Sequence, residues 1–255
     1  MEMKNKLREI LKKGYGLGGF ISVAAPALIE LVALNGLDFV VIDTEHGESN
    51  FETVINMCRA AEVYGITAIV RMTNYDQKSI GRYLDNGLHG VQVPMVETAE
   101  MARKVVEACK YAPEGVRGMS GGRGTKWGHY TDYAVTANRE TITVCMCETK
   151  TGVDNIEGIA RTPNLDVVFV GTGDLSQSLG VKGQNHPIVL EAVAHVLNAC
   201  KKNGVTPGIV TSGGVDAIKY IEQGFRYVTV LNDARLLGAA TQKITKEIRN
   251  TKPTV

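Results

Sequence analysis

Eight short apolar runs, separated by segments of helical periodicity, constrain this sequence more than any other feature. They lie near residues 17–22, 38–43, 66–71, 90–94, 142–147, 166–171, 207–210 and 226–230. Runs this short and continuously apolar read as parallel strands buried on both faces. Between them, segments such as Phe51–Tyr64, Gln77–Asn86, Ala99–Lys110, Ile188–Asn203 and Val215–Gln223 repeat apolar residues at helical spacing. Gly65, Gly87, Gly204 and Gly224 each stand just before the next run, where a helix should stop. Eight strands alternating with helices predict an α/β fold, a single (β/α)8 TIM barrel over residues 1–255. A doubly wound open sheet is the alternative. The length of 255 residues and 44% hydrophobic content suit a barrel core.

One connection breaks the rhythm. Residues 111–141, which include Pro113, Gly115, Gly118, Gly121, Gly122, Gly124, Trp127 and Tyr130, are too many for a plain turn. A loop of this length in a compact domain is usually functional, so a lid or subunit contact is expected, with a structural excursion beside the barrel as the plainer reading. Residues 232–255 read as the last helix and a polar tail.

Charge and composition narrow the partners. The formal net charge is +1, with no basic block and few aromatics, so neither nucleic acid nor a membrane surface is expected. No apolar stretch approaches the roughly 20 residues that span a bilayer. The opening Met-Glu-Met-Lys-Asn-Lys leads into a charged amphipathic segment rather than a signal peptide. Five cysteines (Cys58, Cys109, Cys145, Cys147, Cys200) form an odd set without scaffold spacing, so reduced thiols and a cytoplasmic location are expected.

Several motifs fail on context. Gly14-x-Gly16-x-x-Gly19 precedes a strand, whereas a dinucleotide fingerprint follows one. Gly121–Lys126 lacks the Gly-Lys pair of a P-loop. Cys145 and Cys147 share one strand face, opposite Met146 and Glu148, so both thiols should face the helices as inert core residues. Ser212, in Thr211-Ser212-Gly213-Gly214, reads as an N-cap more readily than as part of a phosphate cradle.

The chemistry gathers where strands end. The second run stops in Asp43, Glu45 and His46, the third in Arg71 and the fifth in Glu148; the sixth leads to Asp174. Strand C-termini are the functional mouth of such a fold. Glu148 and Asp174 follow neighbouring strands, and two adjacent carboxylates need a cation or a shared proton. A hard divalent ion with open positions for substrate oxygens matches this donor set, and no cysteine or histidine completes a zinc-type set. Arg71 supplies a fixed positive charge suited to a carboxylate or enolate. His46 is a candidate general base, with Asp43 or Asp85 to orient it. No lysine lies inside a predicted strand, which disfavours a Schiff-base mechanism.

At these residues the chain resembles the metal-dependent class II pyruvate aldolases of the HpcH/HpaI type, the 4-hydroxy-2-oxoheptanedioate aldolase and 2-dehydro-3-deoxyglucarate aldolase family. The segments that carry the likeness are Asp38–Gly47, Leu84–Val96, Ala112–Gly118, Glu148–Asn155 and Asp166–Ser176. The resemblance implies a barrel whose last helix is exchanged between subunits, in a hexamer built as a trimer of dimers. It implies Mg²⁺, Mn²⁺ or Co²⁺ on Glu148 and Asp174, and Arg71 on the ketone or enolate oxygen. His46 paired with Asp85 would move protons through water, while backbone amides near Gly173 and Asp174 would hold the substrate carboxylate. The implied reaction joins or cleaves a small 2-oxo acid and an aldehyde.

This chain departs from the family pattern in the pocket. Met146 stands where the family usually has Gln, so the substrate-binding position at 146 lacks a donor. Gly171-Thr172 replaces the usual Gly-Pro, and Phe20 stands near a common indole position. A related branch, citrate synthases that condense oxaloacetate with acetyl-CoA, shares the same groups; Arg117, Arg123 and Lys126 are candidates for a basic groove in that alternative. The intact set of Glu148, Asp174, Arg71 and His46 argues against a non-catalytic barrel.

Overall fold

A computed structural model describes residues 3–250. Eight parallel strands close into a barrel in sequence order. They are β1 (Gly16–Ile21), β2 (Phe39–Asp43), β3 (Thr67–Arg71), β4 (Gly90–Val93), β5 (Ile142–Cys147), β6 (Val167–Val170), β7 (Thr206–Val210) and β8 (Tyr227–Asn232). Each falls on one of the eight apolar runs. Closure between β1 and β8 excludes the open-sheet alternative.

Strand alternation sorts the side chains into two cores. One set fills the barrel: Phe20, Phe39, Val41, Ile69, Val144, Met146, Phe169 and Tyr227 belong to it, and Leu7 from helix Lys6–Lys13 joins from outside the strands. The other set, including Val40, Ile42, Val70, Val91, Cys145, Cys147 and Val168, packs against the surrounding helices. Cys145 and Cys147 therefore face the helices, as their spacing predicts. All five thiols are free and buried, and burial pushes Cys58 up to about 12 and Cys109 up to about 11. They are core residues rather than metal ligands.

The helix stops hold. Gly65, Gly87, Gly204 and Gly224 all have positive φ, a backbone region that costs glycine little. Residues 111–141 are not a plain loop. They contain a short 3₁₀ turn, Arg123–Thr125, and a helix, Tyr133–Glu140. Arg123 pins this excursion to the barrel by donating to Glu62 and to the Asn86 carbonyl. Helix Asp233–Asn250 follows β8; none of its residues is buried, although Leu236, Leu237, Ile244 and Ile248 lie along it. Among the described residues no helix is long and apolar enough to cross a membrane.

Candidate active site

The mouth of the barrel is built from residues that continue the inward face of each strand. On β2, Phe39 and Val41 point inward, and Asp43 follows them at the rim; on β3, Ile69 is followed by Arg71. Asp43 and Arg71 are register partners, which places their side chains side by side. The Arg71 Nε donates to Asp43 Oδ1 at 2.9 Å and its terminal nitrogen to Oδ2 at 2.5 Å. The other terminal nitrogen meets Glu45 at 2.9 Å. Its guanidinium carbon stands 4.9 Å from the centre of the Phe20 ring. Arg71 is thus fixed on all sides.

The loop after β2 folds back over Asp43. Asp43 Oδ1 also accepts from the backbone N–H of Glu45 and of His46. Burial opposes the charge on Asp43, but Arg71 and these two N–H groups outweigh it and hold the carboxyl below its ordinary range. Gly47 closes the loop, because a Cβ there would collide with the carbonyl oxygens of Asp43 and Ser22. Glu45, which sequence reasoning gave no role, is the second carboxylate on Arg71. Burial raises its pKa, partly offset by Arg71 and His46.

Glu148 follows Met146 on the inward face of β5 and is buried. Its Oε1 accepts from the Met95 N–H at 2.9 Å, while Oε2 is buried with no partner among the described residues. Gly171, just past β6, lies against this oxygen; a Cβ there would overlap the carboxylate. Burial pushes Glu148 up to about 7, and the nearby charges of Asp174 and Glu45 add to the rise. Asp174 lies in the first turn of helix Thr172–Ser178. The mouth therefore collects four carboxylates (Asp43, Glu45, Glu148, Asp174) around one guanidinium. That excess, with one buried carboxylate oxygen unpartnered, fits a divalent cation. Glu148 and Asp174 would hold it. No cluster of three or more acidic, histidine or cysteine ligands occurs among the described residues, so substrate and solvent oxygens would complete the shell.

His46 is separated from its expected partners. Its imidazole is 67% exposed, and its nearest carboxylate is Glu45 at 3.9 Å. Asp43 binds the backbone of His46, not its ring, because the Arg71 fork occupies the carboxylate. Asp85 does not orient His46 within this chain either. It sits on helix Gln77–Asp85, where Arg117 reaches it at 2.7 Å. Arg117 is itself buried against the Tyr111 ring, so its charge draws Asp85 toward residues 111–141.

Met146 points into the barrel, and Gly173 lies one residue before Asp174, as the sequence indicates. One interior polar residue was missed. Gln92, on β4, is fully buried, and its Oε1 accepts from the Tyr227 hydroxyl at 3.0 Å. Its place within an apolar run hid it, although alternation with Val91 and Val93 was a usable signal.

A closed (β/α)8 barrel with an acidic, arginine-bearing mouth at its strand C-termini has the architecture of a barrel enzyme with its active site at that face. The chain belongs to the HpcH/HpaI aldolase/citrate lyase family, whose model matches residues 17–251. It is 37% identical to a 5-keto-4-deoxy-D-glucarate aldolase of Klebsiella pneumoniae, over 89% of this chain and 90% of that one. It is 35% identical to a hydroxypyruvate/pyruvate aldolase of Chromohalobacter salexigens, over 94% and 96% of the two chains. A solved family member from Burkholderia cenocepacia superposes with a TM-score of 0.90 at 32% identity, covering 97% of this chain and all of that one. The protein is accordingly an aldolase, a carbon–carbon lyase.

Proposed function

We propose that this aldolase joins or cleaves the bond between the enolate of a pyruvate-type 2-oxo acid and an aldehyde, with a divalent cation held by Glu148 and Asp174. The observation that carries the reading is Glu148, a buried carboxylate with one oxygen unpartnered and further carboxylates beside it. Mg²⁺ or Mn²⁺, with Co²⁺ as a substitute, suits oxygen donors of this kind. When bound, the ion would supply Lewis acidity toward the oxygens of the 2-oxo acid.

The chain's own groups do the rest. Arg71, immobilised by Asp43 and Glu45, presents fixed positive charge where the enolate oxygen develops, without reorganising during the reaction. Backbone N–H groups of Gly173 and Asp174, in a first helical turn, face the substrate carboxylate. Exposed His46, at the rim, exchanges the proton of the aldol hydroxyl with solvent. Asp85 serves through Arg117, holding residues 111–141 as a lid or interface insertion within the single domain 1–255.

We read the enzyme as a cytoplasmic homo-oligomer, a hexamer formed as a trimer of dimers. Helix Asp233–Asn250, with Leu236, Leu237, Ile244 and Ile248 uncovered, is the element exchanged between subunits. The reaction is tested by exchange of pyruvate methyl protons for deuterium, followed by NMR. Exchange is expected with Mg²⁺ or Mn²⁺ and not after EDTA. Metal-independent exchange, or none with pyruvate, oxaloacetate and 2-oxobutanoate at any Mn²⁺ level, overturns the reading.

A further inference from the structure

The end of the barrel opposite the mouth holds a cavity of about 320 Å³. It lies where Thr67 and His89 lead into β3 and β4, between the end of helix Phe51–Tyr64 and residues 123–133 of the long excursion. Its charge is one-sided. Lys4, Lys6, Arg123 and Lys126 line it against a single carboxylate, Glu62, which Arg123 and Lys126 already share. Lys4 and Lys6 form no ion pair among the described residues. Two of the cations sit close on backbone at helix ends: a Cβ at Gly65 would crowd the Lys6 ammonium, and one at Gly87 the Arg123 guanidinium. A helix C-terminus carries only about half a negative charge, so these two ends and Glu62 leave about two positive charges unanswered. His89 adds a neutral donor, because its Nδ1 accepts from the Ala68 N–H at 3.0 Å and the ring proton therefore lies on Nε2.

We infer that this cavity is an effector site for a small organic polyanion, with at least two carboxylate or phosphate groups on a short carbon skeleton. The surplus charge calls for a ligand with two negative groups, and the volume sits at the small end of ligand sites. Ammonium and guanidinium groups hold such oxygens by charge-assisted hydrogen bonds. Ile66 and Leu88, both buried, offer an apolar floor to the skeleton. The ligand would join three parts of the chain: Lys6 from the N-terminal helix, His89 from the foot of β4, and Arg123 and Lys126 from the excursion. Binding therefore ties residues 111–141 to the barrel floor, at the far end from Arg71 and Glu148.

The test titrates the metal-loaded enzyme with tricarballylate and with 3-phosphoglycerate, against acetate and chloride at matched ionic strength. Calorimetry measures binding, and emission from Trp127, the chain's one tryptophan and the neighbour of Lys126, reports where it occurs. At least one polyanion is expected to saturate below about 1 mM and to shift Trp127 emission, while acetate and chloride do neither. Saturation by tricarballylate alone assigns a polycarboxylate, and by 3-phosphoglycerate alone a phosphorylated acid. Lys6→Gln with Lys126→Gln is expected to weaken binding at least about tenfold. Lys4→Gln with Lys6→Gln, which breaks no ion pair, gives the same reading should loss of Lys126 disturb the excursion. Excess pyruvate, which occupies the mouth, is expected not to compete. No saturable binding of either polyanion, undiminished binding in both double variants, or competition by pyruvate overturns the inference.

Discussion

Arg71 and Asp43 meet at partnered positions of two adjacent strands, and the guanidinium grips the carboxylate through two parallel hydrogen bonds. The same carboxylate caps the backbone of Glu45 and His46, so one pair fixes both the cationic centre and the rim loop. Removing one partner of a buried ion pair leaves the other uncompensated. Asp43→Ala should cost about 3 kcal/mol, at the lower end of the usual range because Glu45 still meets Arg71. Urea unfolding measures this, and activity should fall with it because Arg71 is no longer aimed.

Glu148→Gln should separate metal binding from folding. The glutamine oxygen can still accept from Met95, while the buried negative charge beside Asp174 and Glu45 disappears. The metal-free variant should therefore be as stable as the parent or more so, yet bind Mn²⁺ at least tenfold more weakly. Calorimetric titration with Mn²⁺ and thermal melts in EDTA check the two halves.

Asp85→Asn should loosen residues 111–141. The Arg117 side chain is only 1% exposed, and losing its carboxylate should cost about 1–3 kcal/mol. Arg117, Arg123 and Lys126 are trypsin sites within the excursion, so limited tryptic cleavage there should quicken in the variant. Unchanged cleavage and melting would show that Arg117 is held by its aromatic contacts alone.

His89 gives the protein an acid-side stability limit. Burial lowers its pKa, and Arg123 and Lys126 add to the effect against Glu62. Its Nδ1 accepts from the Ala68 N–H, which requires the neutral ring. A depressed histidine contributes stability above its unfolded pKa of about 6.5, and that stability is lost as pH falls through the lower folded value. Melting temperature should thus drop between pH 7 and pH 5 more steeply in wild type than in His89→Gln.

The sequence by itself determined the barrel. Strand positions, helix stops and the two-faced sorting of Met146 and Glu148 from Cys145 and Cys147 all follow from local periodicity and glycine placement, which act over a few residues. It also determined that Glu148, Asp174, Arg71 and His46 lie at strand ends. Which of these groups touch was decided only by tertiary structure, because a side-chain partner depends on register between strands and on what reaches over the rim. Asp43 went to Arg71 and not to the His46 ring because β2 and β3 pair those two positions. Asp85 went to Arg117 because a buried arginine, fixed by aromatic packing, exerts a stronger pull than an exposed imidazole. The partners of Glu45 and Gln92 emerged only in three dimensions, one through an ion pair across the loop and the other through a hydrogen bond spanning the barrel.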